Sequence, residues 1–239
     1  MDFNSKTSFA SAASRSFTYD AALREYMVKV YNFMAAALGV SGLTAFLVSS
    51  SPAMMQLFFG TPLAWVVMLA PLGFVMYFGF SINKISYAKA QTYLWIYSAL
   101  MGLSLATLLV VYTGSSVARV FFITASTFGA MSLYGYTTKK DLTGLGSFLF
   151  MGLIGLIIAS LVNIFMKSSA LQFALSVIGT FLFIGLTAYD TQRIKQTYYQ
   201  VAGDKEMVGK AAVMGALNLY MDFINLFIML LQLLGNRRD

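Results

Sequence analysis

Two acidic side chains stand where an apolar chain tolerates them least. Asp222 lies in the middle of the apolar stretch 211–234, and Asp190 closes another, within Ala188-Tyr189-Asp190-Thr191-Gln192-Arg193-Ile194-Lys195. The remaining acids, Asp2, Asp20, Glu25, Asp141, Asp204, Glu206 and Asp239, fall in tails, connections or the ends of apolar stretches. At 1.5 Å of rise per residue, Asp222 is about 16 Å from Ala211. An ionised aspartate at the centre of a membrane helix costs about 2.5–3.5 kcal/mol even on a lenient scale. It escapes by protonation, by pairing or by finding water. Asn218, Asp222, Asn225 and Gln232 follow at intervals of four, three and seven, so they share one helical face. That stripe either lines an internal polar path or forms a hydrogen-bonded packing seam.

Asp190 admits two placements. By hydropathy it is interfacial and pairs with Arg193 three residues on. If Tyr198 and Tyr199 mark the membrane boundary, the helix continues to about residue 198 and Lys195 snorkels to the surface. Asp190 then lies about 12 Å deep, within reach of Asp222 on an antiparallel neighbour. Two facing carboxyls do not both ionise cheaply, so such a pair shares a proton. Stripped of that proton, it repels itself or captures a cation. Two carboxyls with asparagine oxygens and water suit Ca²⁺, which takes about 6–8 oxygen ligands. So few protein ligands imply weak, transient binding, and no resident cofactor is expected.

Other chemistry fails on the residues available. The chain has no histidine and no cysteine. Serine–histidine and thiolate catalysis, histidine–cysteine zinc sites, histidine-ligated haem, Fe–S clusters and disulfides are thereby excluded. Gly203 and Gly209-Lys210 miss the phosphate-loop spacing, and Ala211 replaces its Ser/Thr. Neither aspartate follows the Gly-x-Gly of intramembrane aspartyl proteases. The sequence gives no reason to expect an enzyme.

The elements that hold these residues are membrane helices. Of 239 residues, 59% are hydrophobic and 10% charged, with a mean hydropathy of +0.73; soluble domains carry about 25% charge. Seven apolar runs have the ~20 residues that a helix needs to cross the hydrocarbon core: 26–48, 62–80, 93–112, 117–134, 145–166, 170–189 and 211–234. The predicted class is all-α, a polytopic membrane protein of seven transmembrane helices. Pro71 predicts a kink inside the second span, not a break. A polar tail (1–24) precedes the membrane domain (25–235), and residues 236–239 follow it. Glycines 39, 42, 102, 129, 152, 155, 179 and 185 are expected at helix–helix contacts.

The net charge of +7 is spread singly or in pairs between the runs. The expected partner is therefore the lipid bilayer, not nucleic acid. Seven spans place twelve Lys/Arg on the N-terminal side and four on the other. That asymmetry predicts a cytoplasmic N-terminus and an external C-terminus.

Three segments, taken together, resemble the Bax inhibitor-1 family, the transmembrane Bax-inhibitor-motif proteins. They are Lys139-Lys140-Asp141-Leu142, Ala188-Tyr189-Asp190-Thr191-Gln192 and Asn218-Leu219-Tyr220-Met221-Asp222-Phe223-Ile224-Asn225-Leu226-Phe227. Order and spacing agree from about residue 24 to 236. The resemblance implies a bundle whose last helix is central, and a pH-sensitive Ca²⁺ leak with Asp190 and Asp222 as the paired sensor and gate. It also implies an alternative, a non-conducting regulator, because some bacterial members associate with a membrane-bound AAA protease and eukaryotic members suppress cell death. Bacterial relatives can carry an arginine cluster after the second span. Here Ser81-Ile82-Asn83-Lys84 stands there. Lys84, a poor bidentate partner, and Arg193 are the cations considered for the pair. The short C-terminal tail and the lack of a targeting signal point to a bacterial inner membrane.

Overall fold

The computed structural model describes the backbone of residues 3–238 and the side chains of residues 20–238. The polar tail expected over 1–24 lies, up to residue 19, outside the described side chains. Its backbone from Phe3 is helical and continuous with the first span.

Eight α-helices follow one another: α1 (Phe3–Ser49), α2 (Pro52–Phe59), α3 (Leu63–Ser81), α4 (Tyr87–Val111), α5 (Gly114–Thr137), α6 (Thr143–Met166), α7 (Ser169–Val201) and α8 (Lys205–Leu234). All except α2 are long and apolar enough to cross a membrane, which gives seven spans. The chain is an all-α integral membrane protein. α2 falls where the sequence suggests only a turn: Ser51 accepts the Met54 amide and Pro52 opens the helix, the start signal of a short helix. α3 runs unbroken through Pro71. α7 continues to Val201, past the apolar run and past both boundary tyrosines.

α8 is the central element. Over its most apolar stretch 56% of residues are buried, against 44% for α7 and 17–28% for the other spans. It packs against α1, α4, α5 and α7, whereas α3 leans mainly on α4 and α6 on α7. The peripheral helices turn side chains such as Trp65, Phe80, Phe148 and Phe165 outward. In hydrocarbon such exposure is the comfortable state, so helix association rests on close packing and interhelical hydrogen bonds.

Two glycines show how close that packing is. A Cβ at Gly102 would stand 2.5 Å from the Ser41 carbonyl oxygen of α1, and one at Gly135 would stand 2.2 Å from the Ala188 carbonyl oxygen of α7. Both contacts are to backbone and cannot be relieved by a rotamer change. Gly39, Gly42, Gly129 and Gly155, expected at contacts, have nothing within 4 Å of that position. Gly42 and Gly129 instead line cavities between α1 and α5. Gly135→Ala is therefore expected to push α5 off α7 and to cost about 1–3 kcal/mol. Gly129→Ala, on the same helix, should stay within about 0.5 kcal/mol. Thermal melts of the two variants in one detergent test the contrast.

Candidate functional site

Asp222 sits twelve residues from the end of α8 at Leu234, about 18 Å along the axis. It is 5% exposed. Asp190 lies eleven residues from the end of α7, about 16 Å along that axis, well inside the helix rather than at its end. The two carboxyl groups are close enough to share a hydrogen bond. Asp222 Oδ2 has no protein partner, and neither has the buried Tyr26 hydroxyl. Buried polar atoms are ordinarily satisfied, so an orphan calls for a proton, water or an ion. Among the described residues no third His, Cys, Asp or Glu joins the pair to complete a cluster for a metal ion.

A cavity of about 190 Å³ lies between α1, α7 and α8, with Arg193, Thr197 and Asn218 as polar lining among apolar residues such as Ile194 and Met214. Asn218 is one helical turn before Asp222. Beyond Asp222 the character changes. Phe223, Ile224, Phe227, Leu230 and Leu231 are buried, and Phe223 stacks edge-on with Phe121 and Phe128 of α5, each at 5.5 Å between centroids. The cavity on that side, about 300 Å³, is walled almost entirely by apolar side chains.

The residues flanking Asp190 fix it by reaching α6, α5 and the 140–142 loop. Tyr189 lays its ring on Gly146 of α6, where a Cβ would come within 2.2 Å. Thr191 Oγ1 and Ser132 Oγ of α5 are 3.0 Å apart, and Ser132 in turn bonds the Tyr31 hydroxyl of α1. Gln192 accepts the Leu142 amide at 2.9 Å and donates to the Lys140 carbonyl at 2.8 Å. Lys195 donates to the Tyr136 carbonyl at 3.0 Å, in the last turn of α5, where the helix dipole favours a cation. The segments 139–142 and 188–192 are thus two halves of one joint.

α8 is held from its other side by a second joint. Tyr220 Oη and Ser41 Oγ are 2.6 Å apart, and Ser41 donates to the Ser98 carbonyl of α4 at 2.7 Å. Tyr97 meets the Tyr220 ring edge-on at 5.7 Å.

The residues singled out in the sequence do not all converge. Asp190, Asp222 and Asn218 occupy the centre, and Asn225 is half-buried on α8. Gln232 does not continue the stripe. Met229 intervenes, packed over Gly179 of α7, and Gln232 is exposed and bonded to Gln172 and Ser176. Arg193 is exposed at the mouth of the small cavity, with no nitrogen within 4.0 Å of the Asp190 carboxylate; the one ion pair among the described residues is Lys210–Glu206 at 3.5 Å. Lys84 is exposed in the 3₁₀ turn Ile82–Lys84 after peripheral α3 and forms no ion pair. Sequence reasoning missed Tyr26, Thr191 and Gln192. Tyr26 marked only the start of an apolar run, and Thr191 and Gln192 stood in the motif 188–192 without a role of their own.

Fold and site together define a class: a seven-helix membrane protein with a carboxyl pair enclosed around a central last helix. The chain belongs to the family described as inhibitor of apoptosis-promoting Bax1, whose sequence profile matches residues 23–239. It is 46% identical over 220 residues to the inner membrane protein YbhL of Escherichia coli, covering 91% of this chain and 94% of that one. It is 51% identical over 233 residues to an uncharacterized protein of Rickettsia prowazekii, covering 98% of both. An uncharacterized protein of Caulobacter vibrioides is 48% identical over 248 residues.

Two measurements test the joint. Gln192→Leu leaves the Leu142 amide and the Lys140 carbonyl without their partner, and should cost about 1–3 kcal/mol, with faster amide exchange over residues 140–146. In the same loop, bonds from the Thr143 hydroxyl and amide hold Asp141 below the ordinary carboxylate range. A depressed folded value means that this pair of bonds is complete above the ordinary range and is lost as pH falls through the folded value. The Thr143 amide resonance is expected to titrate on that acid side in the wild type and to stay flat in Asp141→Asn.

Proposed function

We propose that the protein is a cation leak, with Ca²⁺ as the transported ion and the Asp190–Asp222 pair as its proton-sensitive gate. The observation that carries this reading is the unpartnered Asp222 oxygen held against Asp190 at mid-bundle. Two carboxyls this close share one proton and so tie α7 to α8. Loss of that proton leaves charge that a divalent cation neutralises, with Asn218 and Asn225 as supplementary oxygens. The cavity at Arg193 and Asn218 gives hydrated access from one end, and the Phe121–Phe223–Phe227 cluster is the closed barrier on the other. The excess of Lys/Arg at the N-terminal end supports a cytoplasmic N-terminus, and the similarity to YbhL supports a bacterial inner membrane.

The same aromatic barrier favours a second reading, a non-conducting regulator that engages a membrane-bound AAA protease or another membrane protein. Ca²⁺ flux into proteoliposomes separates the two. For the leak, wild-type flux rises from acid to neutral pH, by up to about tenfold per pH unit where one proton controls the gate. Asp190→Asn and Asp222→Asn each flatten that profile. Folded wild-type protein that passes no more Ca²⁺ than empty vesicles sinks the leak and leaves the regulator.

A further inference from the structure

At the end of the bundle that carries the C-terminus, far from the carboxyl pair, α6, α7 and α8 border an open, half-polar cavity of about 460 Å³. Its inner wall is a directional chain of amides. Asn163 Nδ2 donates to Gln172 Oε1 at 3.1 Å, and Gln172 Nε2 donates to Gln232 Oε1 at 2.8 Å. Ser176 Oγ donates to that same Gln232 oxygen at 2.7 Å. The Gln172 and Gln232 side-chain oxygens are consumed inside the relay, and the Asn163 oxygen accepts the Ser168 amide. The Gln232 NH₂ is left as the terminal group, without a protein partner among the described residues.

Two cations stand on the rim, and the backbone places both. Lys167 adopts the left-handed conformation that ends α6, at φ 51°; non-glycine residues rarely do so. Its neighbour Ser168 is held by Asn163 Oδ1 at 3.1 Å and caps α7. Arg237 comes from the segment after α8, which is stitched to the α4–α5 connection. Thr113 N donates to Asn236 O at 3.0 Å, Arg238 N to Val111 O at 2.8 Å, and Asn236 N to Ser116 Oγ at 2.9 Å. The described acids all lie at the other end of the chain's spans or at mid-bundle, so neither cation has a carboxylate partner among the described residues. Ile164 and Phe173, both largely exposed, flank the opening on the membrane side.

We propose that this cavity binds a phosphate group, held by Lys167, Arg237 and the terminal Gln232 amide. A donor-ended relay lining the same cavity as two cations that have no carboxylate partner among the described residues selects an anion, and the guanidinium fork suits phosphate oxygens. The apolar flank suits the acyl region of a phospholipid whose phosphate occupies the cavity; inorganic phosphate carries the same recognition chemistry without the tail. The site stands independently of the leak, because none of its residues touches Asp190 or Asp222.

Full-length protein in a neutral detergent is titrated with short-chain phosphatidylglycerol, with phosphatidylethanolamine of the same chains, and with inorganic phosphate, read by native mass spectrometry and by thermal shift. Lys167→Asn removes the charge while keeping a residue that tolerates the left-handed conformation, and Arg237→Gln removes the other charge. Each is expected to weaken phosphatidylglycerol binding about tenfold, the loss of one charge-assisted contact. Arg238→Gln, an equal change in net charge outside the cavity, leaves it unchanged. Unliganded melting temperatures confirm that each variant is folded. Binding of inorganic phosphate with the same variant dependence keeps the site and assigns it to the free anion. Equal phosphatidylglycerol binding by the wild type and the double variant, or no binding of any of the three, overturns the proposal.

Discussion

A carboxyl group at the middle of a bilayer cannot face lipid, and the arrangement of the helices follows from that. Asp222 is enclosed only because α8 is surrounded by α1, α4, α5 and α7. The cost of exposing one charged side chain is a few kcal/mol, a large part of the net stability of an ordinary fold. That penalty selects which helix is central. The most apolar span by composition, α6, is left at the edge with 17% of its window buried. In lipid, apolar character carries no instruction to be inside, and polar character does.

The number of spans, their rough limits and the central place of the last helix were all legible from run lengths and one intramembrane acid. The depth of Asp190 was legible only in part. Hydropathy stopped at Tyr189, whereas α7 continues to Val201 because its polar residues have protein partners: Thr191 has Ser132, Gln192 has the 140–142 loop, and Lys195 has the end of α5. Hydropathy scores a side chain as though it met lipid or water, and it has no knowledge of a hydrogen bond supplied fifty residues away. The same blindness made Gln232 look like part of a stripe. Its helical register was right, but Met229 over Gly179 interrupts the path, and a side chain that fills a notch cannot be inferred from periodicity.

The three motifs that mark the family divide their labour. Asp190 and Asp222 meet at mid-bundle, and Asp222 Oδ2 has no protein partner among the described residues. Asp141, Leu142, Thr191 and Gln192 only hold the frame, and they do so with fully satisfied bonds. Separating positioning residues from those with an unpartnered atom in this way uses the hydrogen-bond inventory, since both kinds look alike as letters in a motif.

The four consecutive side chains 189–192 each engage a different neighbour, and this restricts how the molecule can deform. A twist of α7 about its own axis would break contacts with α5, α6, α8 and the 140–142 loop together. α7 therefore behaves as the spine of a book, fixed while its covers move. The yielding seam is the one between α1 and α5, where the described residues offer a single hydroxyl bond, Tyr31 to Ser132. Cavities of about 440 and 300 Å³ lie along that seam. Motion there would uncover the α1-facing side of the aromatic cluster that α5 and α8 share beside Asp222, so the compliance of this bundle is lateral and a stiffer or more crowded bilayer would resist it directly.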